Sequence, residues 1–243
     1  MIPVVGLPEF SADMSIGTEI AARTEPLDGD VVVVSQKIVS KAEGRIRRLS
    51  SAIPNGEARR LAAALGKEPA LVELILAETH EVLRAERDVL ITETHHGFVC
   101  ANAGVDSSNL PEADTVSLLP KDPDASARRI RDEIRAAAGT APAVIVSDSF
   151  GRAWRLGQAE VAIGCAGIAP LDDWRGRPDA EGRELEATLI AIADEAAAAA
   201  DLVRGKASRV PAAIVRGLDR YVSSDDGPGA ATLRRPRNED LFR

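Results

Sequence analysis

Hydrophobic residues along the chain form short runs of strand length, separated by longer segments with helical spacing. Residues 31–34 are four consecutive valines, and residues 143–146 form a similar run. Runs that are apolar at every position are typical of strands buried on both faces of a sheet. Shorter apolar runs bounded by glycine, proline or polar residues predict further strands at residues 2–5, 89–92, 98–101, 114–118 and 211–215.

Helical spacing predicts helices between these strands. The clearest are residues 55–65, 69–85, 125–138 and 184–203, with weaker signals at 13–22 and at the start of 35–45. Asp122 precedes Pro123 as a predicted N-cap, and Gly205 is a predicted C-terminal stop. Strand 114–118, the following helix and strand 143–146 predict a β-α-β unit, while residues 161–168 predict small-residue packing. The sequence therefore predicts an α+β (mixed α/β) fold, with sheets flanked by helices.

The length of 243 residues and a hydrophobic content of 45% fit one large domain or two small ones. We expect residues 1–222 to form the folded domain, with room for two intertwined subdomains. Residues 223–243 are rich in Asp, Gly, Pro and Arg and predict a tail or linker.

Charge and composition exclude several classes of protein. A net charge of −8 and a pI near 5.1 argue against nucleic-acid binding. No stretch of the sequence predicts a membrane span, and the two cysteines predict neither a zinc site nor a disulfide framework. We expect a soluble, cytoplasmic protein that does not bind membranes.

Two polar segments hold the groups best able to bind a metal or phosphates. Residues 95–110 contain Asp106 and Asn109, and residues 147–157 place Asp148 directly after an apolar run. Carboxylate and hydroxyl oxygens suit Mg²⁺ or Mn²⁺. Either segment alone also fits an ordinary turn, but two acids at the ends of neighbouring strands could share a cation.

Basic and glycine-containing segments suggest where an anion would bind. Lys37 and Lys41 follow the valine strand, a placement that suits phosphates but equally fits a solvated helix. Gly6 opens a turn that leaves amide groups free. The chain has neither GxxxxGK[ST] nor GxGxxG, so any nucleotide site is not a P-loop. His95 and His96 are adjacent, which in a strand points them to opposite faces and disfavours a shared metal.

Several motifs together resemble the coenzyme F420:L-glutamate ligases, which add glutamate to the phospholactyl end of a deazaflavin coenzyme. The matching segments cover most of the chain up to about residue 216. They are GLPEF at 6–10, VSKAEGR at 39–45, ANAGVDSSN at 101–109, SDSFGRAWRLGQ at 147–158, VAIGCAG at 161–167 and PLDDWRGRPDAEGREL at 170–185.

The resemblance implies a dimeric, GTP-dependent amide ligase that acts on L-glutamate and coenzyme F420-0 through an acyl phosphate. It implies two divalent cations, Mg²⁺ or Mn²⁺, and admits K⁺. The implied metal ligands are Asp106, Asp148 and Ser149. The chemistry of the reaction, which needs positive charge beside an anionic substrate, assigns Arg152 and Arg155 to substrate binding. The implied catalytic residues are Lys41, Asp106 and Asp148. The implied nucleotide contacts are Gly6, Leu7, Pro8, Glu9, Gln36, Lys37, Lys41, Asn109, Val203, Arg204, Gly205 and Lys206.

Two other functions remain open from the residues alone. The acids and lysines also fit a metal-dependent nucleotide phosphohydrolase or kinase. The polar segments also fit a non-catalytic nucleotide-binding protein in which the turns have no chemical role.

Overall fold

The computed structural model describes residues 1–241 and has mixed α and β content, which confirms the predicted fold class. The strands are β1 (Ile2–Pro3), β2 (Val31–Ser35), β3 (Ile46–Arg48), β4 (Thr79–Glu86), β5 (Val89–Thr94), β6 (Val99–Ala101), β7 (Thr115–Ser117), β8 (Ala143–Arg152), β9 (Arg155–Ala166), β10 (Asp172–Asp173), β11 (Leu189–Ile190) and β12 (Ala212–Val215). The α-helices are α1 (Ile16–Ala21), α2 (Gln36–Ala42), α3 (Gly56–Leu65), α4 (Pro69–Ala77), α5 (Pro123–Ala138) and α6 (Ile192–Arg204).

The largest sheet has the strand order β1-β12-β2-β8-β9. Only β2 and β8 run parallel, and their register pairs Val31 with Ala143 and Ser35 with Ser147. Beyond Ser147, β8 continues with β9 as an antiparallel two-stranded ribbon. Because β2 ends at Ser35 while β8 continues past Ser147, β8 has no parallel neighbour beyond this point. Helix α2 begins at this edge of the sheet.

Helices cover both faces of this sheet, which explains why the valine run is apolar throughout. Val32 and Val34 belong to the core shared with α1, α2 and α5. Val31 and Val33 belong to the opposite core, formed with α6. Each strand residue therefore meets a helix layer on its own side, as expected for a strand buried on both faces.

A second part of the fold contains α3, α4 and the three-stranded sheet β4-β5-β6. Its core includes Leu65, Ile75 and Leu90. Strand β3 pairs with β7 in a separate two-stranded ladder. Since β6 also packs near β8, this part lies against the edge at which β2 ends.

Two predicted helices are wrong over part of their length. The helix predicted for residues 69–85 ends at Ala77, and Thr79–Glu86 forms β4 instead. Pairing with β5 across a turn at Arg87 and Asp88, both with positive φ, outweighs the helix propensity of this segment.

The helix predicted for residues 184–203 begins only at Ile192. Leu189–Ile190 pairs with Asp172–Asp173 as β11 and β10, so pairing again replaces the first turns of the predicted helix. Asp194 and Glu195 then lie in the first turn of α6, where acidic side chains favour a helix start.

The predicted β-α-β unit is also wrong. Strand β7 pairs with β3 rather than joining the sheet of β8, and the parallel neighbour of β8 is β2. Residues 161–166, predicted only as small-residue packing, belong to β9. Gly164 is required there, because a Cβ would lie 2.2 Å from the carbonyl of Pro123 at the start of α5.

Several residues between 223 and 237 contact the rest of the protein. Fully buried Arg131 donates to the carbonyl oxygens of Ser223 and Ser224 and forms an ion pair with Asp226. Ala230 is buried, and Arg237 pairs with Glu81 on β4. Residues 242 and 243 of the predicted tail lie outside the described residues. No helix within residues 1–241 has the length and apolarity needed to cross a membrane.

Candidate functional site

The candidate site lies where β2 ends. Ser35 closes β2 and caps α2, accepting a hydrogen bond from the backbone N–H of Lys37. Beside it, β8 continues as a ribbon that carries Asp148 and Ser149. The prediction that Asp148 follows the end of a strand is therefore wrong, because Asp148 lies inside β8. It is the parallel neighbour, β2, that ends beside it, and such edges commonly form ligand crevices in α/β sheets.

Asp106 is held by Lys37. The Lys37 ammonium forms an ion pair with Asp106 Oδ2 and donates to the carbonyl oxygen of Ser108 at 2.6 Å. The backbone N–H of Ser108 donates to Asp106 Oδ1 at 2.8 Å. Burial would raise the pKa of Asp106, but the hydrogen bonds from Lys37 and Ser108 outweigh it and lower the pKa below its ordinary value. Asp106 is thus a charged carboxylate.

Asp148 has a less compensated charge. Burial, followed by the nearby carboxylate of Glu160 and with a smaller contribution from Asp106, raises its pKa from 3.8 to about 7. The two predicted carboxyl groups, Asp106 and Asp148, are therefore close enough to repel each other. Lys37 offsets only part of this. A carboxylate surrounded in this way fits a bound divalent cation, which would neutralise the repulsion.

Glu160 is the centre of a buried network next to Asp148. Its Oε2 accepts from Ser147 Oγ at 2.6 Å and from Arg204 Nη2 at 2.8 Å, and its Oε1 accepts from Ser149 Oγ at 2.5 Å. Burial raises the pKa of Glu160, but the Arg204 charge and the two serine hydroxyls outweigh it and lower the pKa. Glu160 is therefore ionised, and it fixes the direction of the Ser149 hydroxyl.

Lys41 brings two predicted nucleotide segments together. Its ammonium forms an ion pair with Glu9 and donates to the carbonyl oxygen of Asn109 at 3.2 Å. The side chain of Lys41 is 10% exposed, so it does not have the solvated environment of the alternative interpretation. Gly6 and Asn109 both have positive φ, at 74° and 54°. The turn predicted at Gly6 is present.

The other predicted nucleotide contacts differ in their surroundings. Gln36 is 1% exposed, and its Oε1 accepts from Ser40 Oγ within α2. Arg204 is buried against Glu160, whereas Lys206 donates to Ser149 Oγ at 2.6 Å. Residues 203–206 are thus next to the predicted metal ligand Ser149, at the end of α6.

The predicted substrate arginines lie away from the carboxylates. Arg152 and Arg155 pair with each other at the tip of the β8–β9 ribbon. The Arg152 guanidinium donates to the carbonyl oxygens of Leu156 and Gly157. Both arginines are exposed, and no contact among the described residues joins them to Asp106 or Asp148.

Two further observations concern metal binding. His95 and His96 bind backbone carbonyl oxygens, of Ala77 for the first and of Pro120 and Lys121 for the second. In residues 1–241, no group of three or more His, Cys, Asp or Glu side chains has an arrangement that could hold a metal ion. The predicted set is smaller, with two carboxylates and the Ser149 hydroxyl.

The sequence matches a known protein family. The model of the F420-0:Gamma-glutamyl ligase family matches residues 6–217. The chain belongs to this family. That range contains each of the predicted site residues, from Gly6 to Lys206.

Three relatives align with this chain over 94–97% of their own lengths. "Coenzyme F420:L-glutamate ligase" of Methanothermobacter thermautotrophicus is 45% identical over 243 residues, with 100% of this chain and 96% of the relative covered. The protein of that name from Methanocaldococcus jannaschii is 43% identical, with 100% and 97% covered. The one from Haloarcula marismortui is 44% identical, with 99% and 94% covered.

Sequence reasoning missed one member of the site, Glu160. Its partner Ser149 lies 11 residues earlier, and the two face each other only because β8 and β9 pair around a tight turn at Trp154, which has positive φ. The pattern of residues 147–157 predicts one polar segment, whereas the structure shows a hairpin. Recognising the turn near Trp154 would have placed Glu160 opposite Ser149.

Proposed function

We propose that this protein is a GTP-dependent ligase that joins L-glutamate to the phospholactyl carboxylate of coenzyme F420-0, and then adds γ-linked glutamates. Family membership across residues 6–217 carries this proposal. It is supported by relatives named coenzyme F420:L-glutamate ligase that are 43–45% identical over nearly all of the chain.

The reaction requires an activated carboxyl group. In the proposed mechanism, a carboxylate oxygen of the coenzyme attacks the γ-phosphorus of GTP, and GDP leaves. The amine of glutamate then attacks the acyl phosphate, loses a proton and expels phosphate to form the amide. Both steps bring anions together, so the protein must neutralise charge and hold the reactants in line.

Lysines at the site supply part of this neutralisation. Lys41 lies between the Glu9 carboxylate and the backbone of Asn109, so its ammonium would bind a phosphate in place of Glu9. Lys37 binds Asp106 and orients it. The amide groups of residues 6–9, the Asn109 segment and residues 203–206 would surround the rest of the nucleotide, with Gln36 as a buried support inside α2.

In this proposal the carboxylates would hold Mg²⁺ or Mn²⁺, and K⁺ would be a further ion. Asp106 and Asp148 would hold the cation, because their mutual repulsion is what a divalent ion removes. When bound, such a cation would neutralise phosphate charge and help to orient the transferred phosphoryl group. The chain's own contribution is to keep Asp106 ionised through Lys37 and Ser108.

Arg152 and Arg155 would bind the anionic coenzyme or the incoming glutamate from the ribbon tip. The same tip exposes Trp154 and Leu156, at 81% and 99%. These apolar side chains support the homodimer that forms part of this proposal, and a mass measurement in solution would test it.

Mass spectrometry of the coenzyme after incubation with GTP, Mg²⁺ and L-glutamate tests the function. We expect the coenzyme to gain glutamate only when GTP and glutamate are both present. GTP hydrolysis at the same rate without the coenzyme, and without any glutamylated product, would instead identify a phosphohydrolase.

A further inference from the structure

The hydroxyl of Ser149 both donates and accepts a hydrogen bond. Its proton points to Glu160 Oε1, with the two oxygens 2.5 Å apart. Its oxygen accepts from the Lys206 ammonium, with Nζ 2.6 Å away. The hydroxyl that was predicted as a metal ligand therefore already has a cation beside it, and that cation belongs to the chain.

Glu160 enforces this arrangement. Its other oxygen accepts from Ser147 Oγ and Arg204 Nη2, and its side chain is 6% exposed. An ionised carboxylate accepts hydrogen bonds and donates none. The Ser149 proton must therefore face Glu160, which leaves the oxygen lone pairs of Ser149 directed at a cation.

The chain also positions Lys206 for this contact. It follows Gly205, whose φ of 49° turns the backbone at the end of α6. Ser208 Oγ donates to the carbonyl oxygens of Arg204 and Gly205 and closes the turn. Arg204 is itself fixed by the buried pair with Glu160. The same network thus fixes the Ser149 hydroxyl and the start of the Lys206 segment.

An ammonium and a divalent cation cannot both occupy this position. A divalent ion bound to Ser149 would lie about 2.1 Å from the same oxygen, next to a positive charge that already contacts it. Like charges this close repel each other. Lys206 would have to leave before a metal ion could bind Ser149.

We propose that Lys206 takes the position of the second divalent cation, so that each chain holds one divalent ion, between Asp106 and Asp148, and one ammonium at Ser149. The catalytic role of Lys206 rests on the proposed function. In that function, Lys206 would supply a fixed positive charge near the transferred phosphoryl group. The metal count itself can be measured without any reaction.

The test is a titration with Mn²⁺ alone, in which electron paramagnetic resonance measures the free ion. Wild-type protein should bind one Mn²⁺ per chain. Lys206→Gln removes the ammonium and should bind two, whereas Lys206→Arg keeps a positive charge and should still bind one. Lys121→Gln is the matched control, because it removes the charge of an exposed lysine outside this network, and it should bind one.

A further variant assigns the gained ion to Ser149. Ser149→Ala added to Lys206→Gln should return the count to one. Two Mn²⁺ ions per wild-type chain, or one ion per Lys206→Gln chain with wild-type circular dichroism, would overturn the inference. A wild-type count of one together with no glutamylation of the coenzyme would reject the proposed function while leaving the metal count intact.

Discussion

The sharpest physical test of the site is the stability of Asp148→Asn as a function of pH, in protein freed of metal by a chelator. Asp148 has a pKa of about 7 in the folded chain, against an ordinary value of 3.8. A carboxyl group whose pKa is raised by folding stabilises the protein below its unfolded pKa. That stabilisation is lost as the pH rises through the folded pKa.

The magnitude follows from the two pKa values. Between pH 5 and pH 8, the full shift would cost the wild type roughly 2.7 kcal/mol of unfolding free energy. Because Asp148 is only half-buried, we halve this for solvent screening and expect about 1.3 kcal/mol. Asparagine does not titrate, so Asp148→Asn should gain about that much stability relative to wild type between pH 5 and pH 8.

Urea denaturation followed by circular dichroism at pH 5, 6, 7 and 8 measures this difference. Asp106→Asn is the matched control, because the pKa of Asp106 is lowered and its charge stabilises the folded chain above the ordinary pKa. It should lose stability at pH 8, and its gain relative to the wild type from pH 5 to pH 8 should be much smaller than that of Asp148→Asn, because Asp106 contributes only a small part of the Asp148 pKa shift. An Asp148→Asn variant whose stability follows that of the wild type at every pH would refute the description of Asp148 as a half-buried carboxyl group with a raised pKa.

Three further predictions concern the same site. Lys41→Ala should weaken GDP binding by about 1.5–3 kcal/mol, as measured by calorimetry, because one charge-assisted contact is lost. The control variant Lys121→Ala should bind GDP as the wild type does. Unchanged GDP affinity of Lys41→Ala would contradict a phosphate contact. Asp106→Asn and Asp148→Asn should each nearly abolish glutamylation, measured as the rate of product formation. The double variant should be scarcely slower than either single one, because the effects of residues that act as a unit are not additive. Mild losses of rate that multiply in the double variant would mean that the two residues act independently. Glu160→Gln should lower the free energy of unfolding by roughly 3–5 kcal/mol in urea denaturation, because buried Arg204 loses its counter-charge. A loss below about 1 kcal/mol is typical of a solvent-exposed ion pair and would contradict the buried pair.

The strands that were easiest to predict were those with an unambiguous burial pattern. Four valines in a row specify a strand buried on both faces, and β2 is such a strand. Residues 79–86 and 189–190 were harder, because their letters fit a helix and only pairing with β5 and β10 makes them strands. Strand pairing depends on distant residues, which local periodicity does not contain.

In the candidate site too, some features follow from local motifs and others depend on the pairing of distant residues. Motifs identified Asp106, Asp148 and Ser149, and the structure brings the charges of the two acids within reach of each other. The contribution of Glu160 depends on the register of the β8–β9 hairpin, which no single motif encodes. The contact of Lys206 with Ser149 depends on the turn after α6. The motifs therefore predict the two acids but not the network that orients the Ser149 hydroxyl.

The most direct test of the proposed function compares GDP released with glutamate incorporated into the coenzyme in one incubation. A ligase that activates the carboxylate with GTP should release one GDP for each glutamate added, and essentially none when the coenzyme is omitted. GDP release that continues without the coenzyme, or glutamylation that proceeds without GTP, would contradict the account.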